Sequence, residues 1–117
     1  MTIKKLLIAN RGEIASRIIR SAHDMGIATV AIYTEPDSNS PYVRQANEAF
    51  KLETSYLDSK EILNIASKAN VDAIHPGYGF LSENYNFANQ VKKANLKWVG
   101  PSAVSYTHLT LPTSIQV

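Results

Sequence analysis

Apolar residues along this chain follow two rhythms. Short apolar-rich runs at Ile3 to Ala9, Ala28 to Tyr33 and Val71 to Ile74 alternate with stretches where apolar residues recur at steps of one, three and four. The runs predict buried strands, and the spaced stretches predict helices with one apolar face. From Gly12 to Met25, Ile14, Ala15, Ile18, Ile19 and Ala22 share a face, with Arg17, Arg20, Ser21 and Asp24 largely opposite. Gly26 follows, where a left-handed helix end favours glycine. A second helix, capped by Asp58 or Ser59, carries the stripe Ile62, Leu63, Ile65, Ala66 and Ala69. A third, Asn84 to Ala94, faces Phe87, Ala88 and Val91 inward. Ala49 to Leu52 and Trp98-Val99 are short strands, Tyr42 to Ala46 is one helical turn, and Glu35 to Pro41 is a loop by composition. The order β-α-β-(turn)-β-α-β-α-β predicts an α/β domain, its mainly parallel sheet covered by helices on both faces and joined by right-handed crossovers.

Residues 104–117 break this pattern. They contain no charged residue, alternate weakly and form no helical face. They read as a polar tail, an added edge strand or a foreign sequence.

Composition narrows the class. The length of 117 residues fits one domain, and 44% hydrophobic with 19% charged residues is an ordinary globular mix. The absence of cysteine excludes disulfide frameworks, thiolate metal sites and cysteine nucleophiles, and fits a reducing compartment such as the cytoplasm. No apolar run approaches the roughly 20 residues of a membrane helix. The first run is shorter than a signal-peptide core and is cut off by Asn10 and Arg11. Net charge is +2, and the basic residues are spread out except for Lys4-Lys5 and Lys92-Lys93. Nothing resembles a clustered, aromatic-lined nucleic-acid surface.

In a parallel α/β sheet, ligands sit outside the carboxyl ends of the strands. Two loops belong to that edge. In Ala9-Asn10-Arg11-Gly12-Glu13, a strand, a glycine and a helix start could receive an anion, yet the glycine-rich phosphate fingerprints are absent. Alternatively, Asn10 and Glu13 cap the helix while Arg11 ties down a neighbouring loop. The second loop runs from His75 through Pro76, Gly77, Tyr78, Gly79, Phe80, Leu81 and Ser82 to Glu83 and Asn84, with Ser82 as a plausible cap. Gly77 and Gly79 permit unusual backbone angles and close approach. Tyr78 can stack on a flat ligand or donate a hydrogen bond. His75 is a ligand, a base or a structural residue. The carboxylates Glu13, Asp37, Asp58, Asp72 and Glu83 show no metal spacing, and no hydrolase or zinc motif is present.

At these two loops the sequence resembles biotin carboxylases. Ile8-Ala9-Asn10-Arg11-Gly12-Glu13-Ile14-Ala15 looks like the family's opening motif, and His75 to Asn84 looks like its second. Phe87-Ala88 and Val99-Gly100-Pro101-Ser102 fall where that family places them. Two long motifs in order are far more specific than a lone glycine fingerprint. The resemblance covers about residues 3–103. It implies a Rossmann-like pre-ATP-grasp domain and an ATP-dependent ligase, in which ATP activates bicarbonate to carboxyphosphate and the carboxyl group passes to N1 of biotin on a carrier.

The resemblance also bounds what this chain holds. The family's ATP loop, phosphate-binding lysines, magnesium-binding glutamates and bicarbonate-handling groups lie in ATP-grasp and C-terminal lobes after this domain. No catalytic residue or metal ligand is therefore expected here, and biotin, ATP and magnesium belong to the parent enzyme. Tyr78 and Gly79 match positions beside the biotin ring. His75, Gly77, Glu83, Asn10, Arg11 and Glu13 belong to the loops that support that site. Arg17 and Arg20 match helix positions at the dimer interface of bacterial members, or form a solvated helix face. The implied partners are the ATP-grasp lobes, a biotin carboxyl carrier protein or domain, a carboxyltransferase and a second copy of the parent, with no nucleic acid and no membrane. Asn47 stands where the family commonly has aspartate.

From Val104 onward the sequence leaves the family pattern and looks like translated adapter or assembly read-through. The expected division is a domain at 1–103 and a non-native or disordered tail at 104–117. The competing reading is a free-standing α/β module that binds a nucleotide or a protein.

Overall fold

The computed structural model describes residues 3–100. Five strands, β1 (Lys5–Ile8), β2 (Ala28–Tyr33), β3 (Glu48–Lys51), β4 (Ala73–His75) and β5 (Lys97–Trp98), form one parallel sheet ordered β3-β2-β1-β4-β5. Between them lie α1 (Gly12–Asp24), α2 (Pro41–Gln45), α3 (Ser59–Ala69) and α4 (Tyr85–Lys93). The element order is the one the apolar pattern predicts.

Strand alternation decides which helix covers which face. Leu7 pairs in register with Val30 and Ile74. With Ile32 they meet Ile62, Ile65 and Ala66 of α3 and Phe87 and Val91 of α4. Leu6, Ile8, Ala31 and Ala73 point the other way, onto Ala15, Ile19 and Ala22 of α1 and Tyr42 of α2. The sheet is thus covered on both faces. Phe87 is fully buried and meets Trp98 edge-on at 5.5 Å between ring centroids. Truncating such a side chain to alanine costs about 3–5 kcal/mol.

Element ends differ slightly from expectation, for identifiable reasons. Asn70 ends α3 in the left-handed region at φ 57°, and the Val71 amide returns to the Ala66 carbonyl at 3.2 Å. Strand β4 therefore begins at Ala73 and not at Val71. Asp58 caps α3 by accepting from the Glu61 amide at 3.1 Å. Asn84, and not Ser82, caps α4 by accepting from the Phe87 amide at 2.9 Å. Ser82 is buried and donates its own amide to the Gly79 carbonyl in the preceding turn. The loop at 35–41 contains a 3-10 turn, Glu35–Asp37, where Pro36 fixes a helical φ.

No helix among the described residues is long and apolar enough to cross a membrane. The expected boundary at 103 and the tail at 104–117 lie outside the described residues.

Candidate functional site

Strand order reverses between β1 and β4: β2 and β3 lie on one side of β1, β4 and β5 on the other. Such a switch point opens a crevice at the carboxyl ends of the strands. The two loops singled out from sequence leave the sheet there, and Asn10 joins them. It is 1% exposed. Its Nδ2 donates to the carbonyls of Pro76 at 2.7 Å and Tyr78 at 2.6 Å, and its Oδ1 accepts from the Arg11 amide at 2.8 Å. Asn10 therefore ties the two loops together at this edge of the sheet.

The second loop bends back over Asn10 through left-handed backbone at Gly77 (φ 68°) and Gly79 (φ 67°). At Gly77 a Cβ would lie 2.7 Å from Asn10 Nδ2 and 2.9 Å from Ile14 Cγ2, so only glycine fits. At Gly79 a Cβ would meet nothing within 4 Å. Between them Tyr78 is 79% exposed. A large aromatic ring held outward on a pinned loop is a preformed stacking surface.

His75 ends β4, and its Nδ1 accepts from the Gly77 amide at 3.1 Å. That bond requires Nδ1 to carry no proton, and burial of the ring lowers the His75 pKa below its ordinary value. The geometry makes His75 a brace for the turn. His75, Gly77, Tyr78 and Arg17 share a groove of about 650 Å³ that runs along α1, with walls that include Ile18 and Val99.

The remaining candidates separate from this cluster. Arg11 turns away and forms a two-pronged ion pair with Asp37, a buried carboxylate after β2. The bond from Arg11 holds the Asp37 carboxyl below its usual range and raises the guanidinium further above its own. Arg11 thus ties down a neighbouring loop, as one of its two readings expected. Asn10 and Glu13 do not cap α1. Asn10 is committed to the second loop, and exposed Glu13 lies 3.5 Å from exposed Arg20. Arg20 and Glu83 are exposed, and of the two α1 arginines only Arg17 reaches the groove.

Tyr56, Tyr42 and Asp37 were not among the site residues expected from sequence. Tyr56 is buried and donates its hydroxyl to Asp37. That hydroxyl also lies 2.9 Å from the Tyr42 hydroxyl and accepts from the Thr34 amide at 3.1 Å. Tyr42 donates to the Ile32 carbonyl, and burial raises its pKa. Phe80 stacks on Tyr56, with centroids 5.3 Å apart. The signal available for Asp37 was its place just after β2, on the same edge. Tyr56 lies between β3 and α3, outside any periodic stretch, and carried no signal. Among the described residues, no group of three His, Cys, Asp or Glu side chains is placed to hold a metal ion.

Residues 2–105 match the family model described as biotin carboxylase, N-terminal domain. The chain is 53% identical over 112 residues to the biotin-dependent acyl-coenzyme A carboxylase alpha3 subunit of Mycobacterium leprae, covering 92% of this chain and 19% of that one. It is 52% identical over 106 residues to biotin carboxylase 1 of Bacillus subtilis, covering 86% and 24%. The biotin carboxylase domain of Hydrogenobacter thermophilus 2-oxoglutarate carboxylase, solved as a dimer with ADP, magnesium and bicarbonate, superposes with a TM-score of 0.84 at 42% identity, over 87% of this chain and 23% of that one. The chain thus spans about a fifth to a quarter of the length of these proteins.

Proposed function

The chain belongs to the biotin carboxylase N-terminal domain family, and from that premise we propose that it forms one wall of a biotin carboxylase active site. The enzyme is an ATP-dependent carbon–nitrogen ligase that uses bicarbonate to carboxylate biotin on a carrier protein or domain. The observation that carries this reading is the Tyr78 loop, pinned by Asn10 at the switch point of the sheet with its ring turned outward. The ring and the open backbone at Gly79 face the biotin ring system. His75 and Gly77 hold the turn that presents them. Arg17 and Arg20 lie on the face where a second enzyme copy packs.

In this reading ATP, magnesium and bicarbonate are handled by ATP-grasp and C-terminal lobes of the parent chain. The support for this reading is the family match, which covers the N-terminal domain alone. Residues 1–103 are the functional unit, and 104–117 contribute nothing to it. A carboxyltransferase receives the carboxyl group from the carrier, and the location is cytoplasmic.

The test is a pair of measurements. The full-length enzyme bearing this domain should release ADP in a bicarbonate-dependent reaction that biotin stimulates. The 117-residue chain, titrated calorimetrically with Mg-ATP, should show no binding in the low micromolar range. Low-micromolar binding by the chain alone would favour a free-standing nucleotide module instead.

A further inference from the structure

Phe80 carries a bulky side chain at φ 47°. Left-handed backbone is uncommon for such a residue and persists only where neighbouring contacts enforce it. One such contact is visible. The Phe80 ring lies on the ring of Tyr56, 5.3 Å away and 26° from parallel. Tyr56 itself is fixed at its hydroxyl by Asp37 and the Thr34 amide, and Asp37 is fixed by Arg11. The loop is therefore gripped at two points. Asn10 holds the Tyr78 carbonyl from below, and Tyr56 holds Phe80 two residues further on. Asn10 also holds the Pro76 carbonyl, so Tyr78 lies between held residues on either side, Pro76 and Phe80.

We propose that Tyr56 is a positioning residue for the Tyr78 ring, acting through its stack on Phe80. The inference rests on the reading of Tyr78 as the biotin-side wall. Tyr56 touches no substrate. It fixes the direction of a loop that does, and so should act on biotin affinity more than on turnover.

The experiment uses the full-length enzyme with four variants, Tyr56→Phe, Tyr56→Leu, Phe80→Leu and Tyr78→Ala. Phe80 is half-exposed and its leucine variant keeps an apolar contact, so Phe80→Leu reports even where Tyr56→Leu folds poorly. Phe80→Leu and Tyr56→Leu should raise the KM for free biotin about two- to tenfold, the range of one aromatic pair, with kcat changed less than KM. Tyr56→Phe keeps the stacked ring and should retain most of the wild-type KM. Hydrogen exchange at the Ser82 amide, which donates to the Gly79 carbonyl at 2.8 Å, reads the loop independently of biotin. It should quicken in Phe80→Leu and Tyr56→Leu. An unchanged biotin KM in Phe80→Leu, beside a Tyr78→Ala variant that raises it, overturns the proposal. Quickened exchange together with a Tyr78→Ala variant that leaves the biotin KM unmoved overturns the biotin reading itself.

Discussion

The side-chain amide of Asn10 donates to the carbonyl of Tyr78 at 2.6 Å, across 68 residues of sequence. The same nitrogen reaches the Pro76 carbonyl at 2.7 Å. One buried asparagine at the end of β1 thus sets the path of the loop that leaves β4.

Removing that donor should destabilise the chain. Asn10→Ala leaves two carbonyls short of a partner, at a cost of about 1–3 kcal/mol. For a domain of this size that is a fall of several degrees or more in melting temperature. Asn10→Asp should be worse, because a carboxylate oxygen would then face two carbonyl oxygens. Thermal melts of the three proteins check the order. An aspartate variant as stable as wild type would remove the donor role from Asn10.

Gly77 and Gly79 share the same left-handed backbone but differ in space. An alanine at either position bears the conformational cost of roughly 1–2 kcal/mol. Only at 77 does its Cβ also strike Asn10 and Ile14. Gly77→Ala should therefore lower the denaturation midpoint clearly more than Gly79→Ala. Equal losses would mean that φ alone matters and the close approach does not.

Acid stability should depend on Asp37. Its folded pKa lies below the ordinary 3.8 because Arg11 bonds the ionised form. The unfolded carboxylate then takes up a proton first as pH falls, so the pair's contribution is full above about 4 and is lost as pH falls through the folded value. Asp37→Asn should be less stable at neutral pH and lose less on going from pH 5 to 2. Urea midpoints across that range test it, and parallel curves for the two proteins would contradict it.

His75 acts in a different window. Burial lowers its folded pKa below the ordinary 6.5, so the unfolded chain protonates first as pH drops below that value. Stability should decline from about pH 7 downward until the folded histidine also titrates. The His75→Asn variant can still present a side-chain oxygen to the Gly77 amide but cannot titrate, so that part of the slope should flatten. An unchanged slope would show that His75 is not the titrating group.

The architecture was legible because packing and pattern agree. Leu7, Val30 and Ile74 are apolar because they face α3 and α4, and Leu6, Ile8 and Ala31 because they face α1 and α2. The two loops were legible because strand ends in a parallel sheet are where such sites lie. The clamp through Asp37, Tyr56 and Phe80 was not. Its members come from three separate connections, and only the folded sheet brings them together. The reading of Asn10 as a helix cap fails for the same reason. Its partners lie 66 and 68 residues away, and no local pattern announces them.

The most direct measurement is Tyr78→Ala in the full-length enzyme, on protein whose melting temperature matches wild type. Two rates are compared: carboxylation of biotin, and bicarbonate-dependent ATP cleavage without biotin. If the ring forms the biotin-side wall, biotin carboxylation should fall roughly five- to thirtyfold, as for a loss of about 1–2 kcal/mol of binding, and ATP cleavage should fall much less. Equal losses in both rates, or no loss in either, would contradict the placement of Tyr78 beside biotin.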